Sequence, residues 1–208
     1  MTAVTCDTIT RAIIENGYSY SEYTDLIESL LKNDRTTGEN HSEMMLHYTK
    51  MNLYRMKRIH RRMELNPDLG NRLEEIERSM IWLILTEAWC GDAAQSIPVV
   101  QKVADQSDKI QTRYILRDEH PEIMDQFLTN GRSRSIPKVI CLDFNSLEVL
   151  GTWGPRSTDA QLVVESANQI EGIPYQEVAE KLHTWYADDN TRSIQNELKE
   201  HLDQWERS

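Results

Sequence analysis

The sequence predicts an α/β protein: one mixed sheet of four or five strands with helices on both faces, and helical extensions at both ends. Three observations carry that prediction. Residues 80–85, MIWLIL, are six consecutive apolar residues, the pattern of a strand buried on both faces. Helix-like and strand-like segments alternate after it, which calls for parallel strands joined by helical crossovers. The last two strand-like segments, KVICLD and EVLGTW, are separated only by FNSL, a hairpin-length turn that makes this pair antiparallel.

The elements follow in chain order. From about residue 5 to residue 78 the chain is polar and carries helical spacing, so residues 1–77 are read as an N-terminal helical extension. Within it Leu53, Met56, Ile59 and Met63 form one apolar stripe on a helix that Pro67 and Gly70 close. That stripe is either packed on the core or a methionine surface for a cofactor. The same helix carries Lys50, Arg55, Lys57, Arg58, Arg61 and Arg62, either a solvated face or a source of one arginine reaching the Cys90 turn. Residues 93–106, AAQSIPVVQKVADQ, have helical spacing with Pro98 as a kink. IQTRYIL is a second strand, EHPEIMDQFLT a helix ended by Asn130 and Gly131, and PKVICLD a third strand.

STDAQLVVESANQ is then a helix with a Thr158-to-Gln161 capping-box pattern, completing a central unit at 78–170. In the C-terminal extension, 171–208, Pro174 opens a helix on which Tyr175, Val178, Leu182 and Trp185 share a face. Ile194, Leu198, Leu202 and Trp205 continue that style, and ADDNTR either divides the segment into two helices or is absorbed by one. The extensions could cover a binding groove, narrow it, or make a dimer contact through Trp185 and Trp205.

Composition narrows the function. Acidic residues outnumber basic ones 34 to 23, a formal charge of -11 that works against nucleic-acid binding. The opening MTAVTCDTITRAIIENG does not look like a signal peptide, and no segment approaches membrane-spanning length, so a cytoplasmic protein with no membrane partner is expected. The three cysteines, Cys6, Cys90 and Cys141, form neither a disulfide framework nor a CxxC pair, and the lack of Cys/His clustering argues against a metal site. His41, His47, His60, His183 and His201 read as helix-surface residues, and no cofactor is implied.

The chemistry concentrates at EAWCGDAAQ, residues 87–95, directly behind the first strand. If Cys90 caps the helix that starts near Asp92, backbone N–H groups and the positive end of the dipole stabilise its thiolate and depress its pKa, giving a reactive cysteine. Trp89 is then a flat apolar shield and a surface for an incoming chain. Asp92 favours the helix start but opposes the thiolate, so the net shift at Cys90 is left unsigned by the sequence, and the role of Asp92 is either structural or in substrate contact or proton transfer.

Three pieces, EAWCGDAA, SRSIPKV and GTWGPR, stand in the order and spacing of a thioredoxin fold, and over roughly residues 78–170 the sequence resembles the thioredoxin superfamily. It is similar in particular to a branch whose intracellular domain carries a WCGD turn and long helical additions. The resemblance implies a cis Pro137 facing Cys90, with the Ile136 backbone free to pair with an extended peptide or a small thiol, and Gly91 part of the same turn. It places the WGPR loop on the same rim, making Arg156 a candidate for holding a carboxylate or sulfenate near Cys90. Trp153 stands there too, as a substrate contact or as loop packing.

The departures matter equally. Ala93 occupies the position of the resolving cysteine, and Ile84 the position where typical thioredoxins carry a buried acid. A mixed disulfide on Cys90 would therefore need an external thiol, or Cys6 or Cys141 brought in by motion. Two readings follow. In the first, Cys90 works in monothiol disulfide exchange or redox sensing with a protein or small-molecule thiol or disulfide as partner. In the second, the fold is a redox-inactive module that docks a protein or peptide in the cis-proline groove. A third, smaller possibility is an unrelated enzyme with Cys90 as covalent nucleophile.

Overall fold

A computed structural model of the chain describes residues 8–208. Cys6, one candidate for a second thiol, lies outside the described residues. The sheet has four strands in the order β2-β1-β3-β4: β1 Met80–Thr86, β2 Ile110–Leu116, β3 Lys138–Asp143 and β4 Val149–Trp153. The optional fifth strand reduces to an isolated antiparallel bridge, Tyr18 to Tyr114, on the free edge of β2.

β1 and β2 run parallel, with Thr86 opposite Leu116, and β3 and β4 form the antiparallel hairpin. The parallel pair expected ahead of the hairpin is β1 with β2, and β3 runs antiparallel to β1, pairing Leu85 with Lys138. The register explains this. β2 ends and β3 begins at the same edge of the sheet, so the intervening chain turns around instead of crossing over. The helix expected over 119–129 shrinks accordingly to α6, Pro121–Met124, preceded by a 3-10 turn at Arg117–Glu119. Four residues span about 6 Å, far short of a crossover.

The period-two alternation of the strands separates two cores. Met80, Trp82, Ile84, Val139 and Cys141 face one side, and Ile81, Leu83, Leu85, Ile140 and Leu142 the other. The first side is covered by α2 Tyr20–Lys32, α3 Glu43–Arg62, α4 Pro67–Glu74, α5 Gly91–Ala104 and α9 Arg192–Arg207. The second is covered by α1 Arg11–Asn16 and α6. The remaining helices are α7 Thr158–Asn168 and α8 Tyr175–Asp189. No helix among the described residues is long and apolar enough to cross a membrane.

Local chemistry sets several boundaries. Ser19 and Glu22 form a reciprocal capping box that starts α2. Pro67 is the first residue of α4, with Asn66 as its cap, so Gly70 falls inside that helix and does not end the previous one. Met56, Ile59 and Met63 are buried, which settles the stripe on α3 as core packing. The cap of α7 is Ser157, which accepts from the Ala160 N–H at 3.3 Å, one residue ahead of the expected Thr158. On α8 the buried face is Val178, Leu182 and Tyr186, while Tyr175 is 78% exposed. ADDNTR does divide the segment: Asn190 and Thr191 both take left-handed backbone angles between α8 and α9. Trp205 is buried edge-on against Trp82, 5.7 Å between ring centroids, so it is a core residue.

Candidate functional site

The turn after β1 is clamped from two directions. Thr37 Oγ1 accepts from the Ala88 N–H at 2.9 Å, and Asn52 of α3 donates to the Ala88 carbonyl at 3.0 Å. Between them Glu87 is fully buried, accepting from the Asp118 N–H at 3.0 Å, and burial pushes its carboxyl up. With this frame fixed, Cys90 becomes the N-cap of α5, its Sγ accepting from the Ala93 N–H at 3.5 Å. The same sulfur donates to the Ile136 carbonyl at 3.2 Å. The Ile136–Pro137 bond is cis, as is Gly154–Pro155 in the next loop.

The loop after β4 presses on this strand entry. Gly154 has φ +108, and a Cβ there would collide with the Pro137 carbonyl, so glycine is required on both counts. The loop delivers Arg156, which donates through Nε to Asp92 Oδ2 at 3.2 Å, pairs again with that oxygen through Nη2, and donates to Gln161 Oε1 at 2.8 Å. Tyr186 of α8 donates to Asp92 Oδ1 at 3.1 Å. Asp92 is thus held from both sides, and the Arg156 guanidinium, expected to be open to a substrate anion, is engaged within the protein.

These surroundings give a sign at Cys90, where the sequence sets the helix end against Asp92 and leaves the net shift open. Burial, followed by the Asp92 charge, pushes the thiol up to about 12, and the N–H groups of Ala93 and Asp92 and the Arg156 charge do not offset them. The helix-end effect is present, in the N–H groups of Ala93, 3.5 Å from the sulfur, and of Asp92, but it is set against the loss of water around the sulfur. Cys141, the other described thiol, is completely buried with its Sγ 3.6 Å from Met80 Sδ, and burial pushes it up as well. Ile84 is part of the apolar core.

The remaining predicted residues divide. Trp89 and Gly91 flank the sulfur, and one face of Trp89 is covered by the Arg117 guanidinium at 5.0 Å. Ile136 and Pro137 are buried opposite. Trp153 is removed from the substrate-contacting set: it is 3% exposed and its indole N–H donates to Glu197 at 2.8 Å. His183 corrects the surface assignment, since it is half-buried and its ring would lie 3.6 Å from a Cβ at Gly91. Burial and Arg55 lower its pKa against an opposing pull from Asp92.

Sequence reasoning missed Glu87, Tyr186 and His183. The signal for Tyr186 was present, four residues after Leu182 on the same face. For Glu87 it was a carboxylate directly behind an all-apolar strand.

A cleft of about 470 Å³, to whose wall Cys90 does not contribute, is lined by Thr129, Arg132, Ser133, Ser135, Arg156 and Gln161, among others. Arg132 is exposed on its rim.

The family model described as thioredoxin matches residues 38–168, beginning upstream of α3 and ending with α7. No curated protein matches the chain. Two crystal structures superpose on it. One is of a protein of unknown function from Pseudomonas aeruginosa, with TM-score 0.58 and 19% identity, covering 89% of this chain and 98% of that one. The other is an HIV epitope scaffold, with TM-score 0.55, 19% identity and the same coverage. At that identity the likeness concerns the fold.

Proposed function

Because the chain belongs to the thioredoxin family, we propose that it acts as a docking module, taking an extended polypeptide segment in the cleft between Ser135 and Arg156 and keeping the Cys90 thiol protonated at rest. One observation carries this reading. The Cys90 sulfur donates its hydrogen to Ile136 and is pushed up to about 12, whereas exchange needs a thiolate. The absence of a second thiol at Ala93 supports it further. The docking groups are those on the rim. The Ile136 N–H has no partner among the described residues, and Arg132, Ser133 and Ser135 line the polar cleft beside it. That lining suits an extended segment carrying an acidic or hydroxyl side chain.

A second reading keeps the chemistry: monothiol exchange or redox sensing, completed by an external thiol. The Ala93 N–H contact favours it, because it is placed to stabilise a thiolate once one forms. Peptide-resolved alkylation of Cys90 by iodoacetamide across pH separates the two. The docking reading expects labelling only above about pH 8, and binding of extended acidic peptides that survives Cys90→Ser but is weakened by Arg132→Glu. Fast labelling already near pH 6 would overturn it in favour of exchange.

A further inference from the structure

A second polar concentration lies on the far side of the Cys90 turn, and the docking reading does not use it. Arg55, Arg58 and Arg62 stand at helical steps of three and four on α3, so they share one face. That face is one wall of a cleft of about 270 Å³; α8 forms the other with His183 and Tyr186, and Gln95 of α5 also lines it. The chain carries 34 acidic residues, yet among the described residues none of these three guanidiniums makes an ion pair. Elsewhere the pattern differs, since Lys57 on the same helix pairs with Glu28 and Arg72 with Asp203 and Glu206.

Arg55 is also held in place. It donates to Asn52 Oδ1 at 2.9 Å, and Asn52 donates onward to the Ala88 carbonyl, which ties the guanidinium to the Trp89–Cys90 turn. It is half-buried, and burial followed by the Arg58 charge lowers its pKa. Across the cleft the Nδ1 of His183 is enclosed without a hydrogen-bond partner. The one carboxylate felt at His183 is Asp92, already engaged by Arg156 and Tyr186. The cleft therefore gathers donors and positive charge that the protein leaves uncompensated. Like charges at these spacings repel, and desolvating them adds to the cost, unless an anion occupies the space between.

We propose that this cleft binds a small multivalent oxyanion, with Arg55, Arg58 and Arg62 holding its oxygens and His183 closing the side nearest Cys90. Planar guanidiniums take such groups bidentately, whether the oxygens belong to a phosphoryl group or to a polycarboxylate. The acidic overall charge works against a broad polyanion surface, but this site is local, with Arg55 half-buried at its inner end and Arg58 and Arg62 at its open side. It stands independently of what docks beside Ile136.

The test is calorimetric titration of the full chain with inorganic pyrophosphate, and separately with citrate, at constant ionic strength. Saturable single-site binding with Kd below about 1 mM is expected for at least one of them, weakened about tenfold or more by the Arg58→Gln/Arg62→Gln double variant. Binding should be unchanged in Arg61→Gln, which removes a neighbouring charge that does not line the cleft. Preference for pyrophosphate assigns the site to phosphoryl ligands, and preference for citrate to polycarboxylates. No saturable binding of either up to about 10 mM, or an equal loss in Arg61→Gln, overturns the proposal. Arg58 and Arg62 are exposed, so neither variant threatens the fold, and a thermal melt checks this.

Discussion

At the scale of single residues the site is a contest over one sulfur. A cysteine at a helix N-cap invites the expectation of a depressed pKa, and the cap is there, but burial and the Asp92 carboxylate outweigh it. Asp92 and Arg156 act in opposite directions on Cys90, which gives the contest a measurable sign. Asp92→Asn removes the charge that raises the thiol and frees Arg156 from its pair, so it should lower the Cys90 pKa and speed alkylation at pH 8 about tenfold. Arg156→Gln leaves Asp92 uncompensated and should raise it. Ultraviolet titration of the thiolate in both variants reads the two directions; equal values would mean that enclosure alone sets the thiol.

At the scale of elements the helices before β1 and after α7 pack into the same core as the sheet. Lys102 of α5 donates to the His60 and Met63 carbonyls at 3.2 and 2.6 Å, closing the end of α3 against α5. α9 lies across the hairpin so closely that Gly151 of β4 faces the Trp205 indole with no room for a Cβ. Gly151→Ala should therefore cost roughly 1–3 kcal/mol by displacing a buried tryptophan, measured by denaturant unfolding. A variant of unchanged stability would show that α9 can shift away from β4 at no cost. The family match starting at residue 38 agrees with this picture, since α3 supplies Asn52 to the Cys90 turn.

At the scale of the whole molecule, α4 and α9 are tied by Arg72, which bridges Asp203 and Glu206, while Glu206 also accepts from the Glu77 N–H at 2.8 Å. The hydrogen bond from Arg72 holds Asp203 below its ordinary value. A depressed carboxylate contributes stability that is fully present above its unfolded value, about 4, and lost as the pH falls through the lower folded value. The melting temperature should accordingly drop on acidification below about pH 4, and drop less in Arg72→Gln, where Asp203 returns toward its ordinary range. Scanning calorimetry at several pH values checks both; an identical acid response in the variant would remove Arg72 from the account.

The strands and their hairpin were legible because each rests on a local pattern, an unbroken apolar run or a four-residue turn, whereas the placement of Cys90 opposite Pro137 was implied only by the resemblance to the thioredoxin superfamily. EHPEIMDQFLT was over-read as a long helix because its spacing is helical, while Pro121 can only begin a helix and the chain turns back soon after Met124. Periodicity marked which face of α8 and α9 is apolar, except that Tyr175 and Trp185 stood in for Tyr186. It carried no information about what those faces meet, so Asp92, Arg156 and Tyr186 came together only in the folded chain, as did Arg55 and His183. The sign of the shift at Cys90 belongs to the same class. Desolvation is a sum over atoms contributed by segments tens of residues apart, and no stretch of sequence around the cysteine contains that sum.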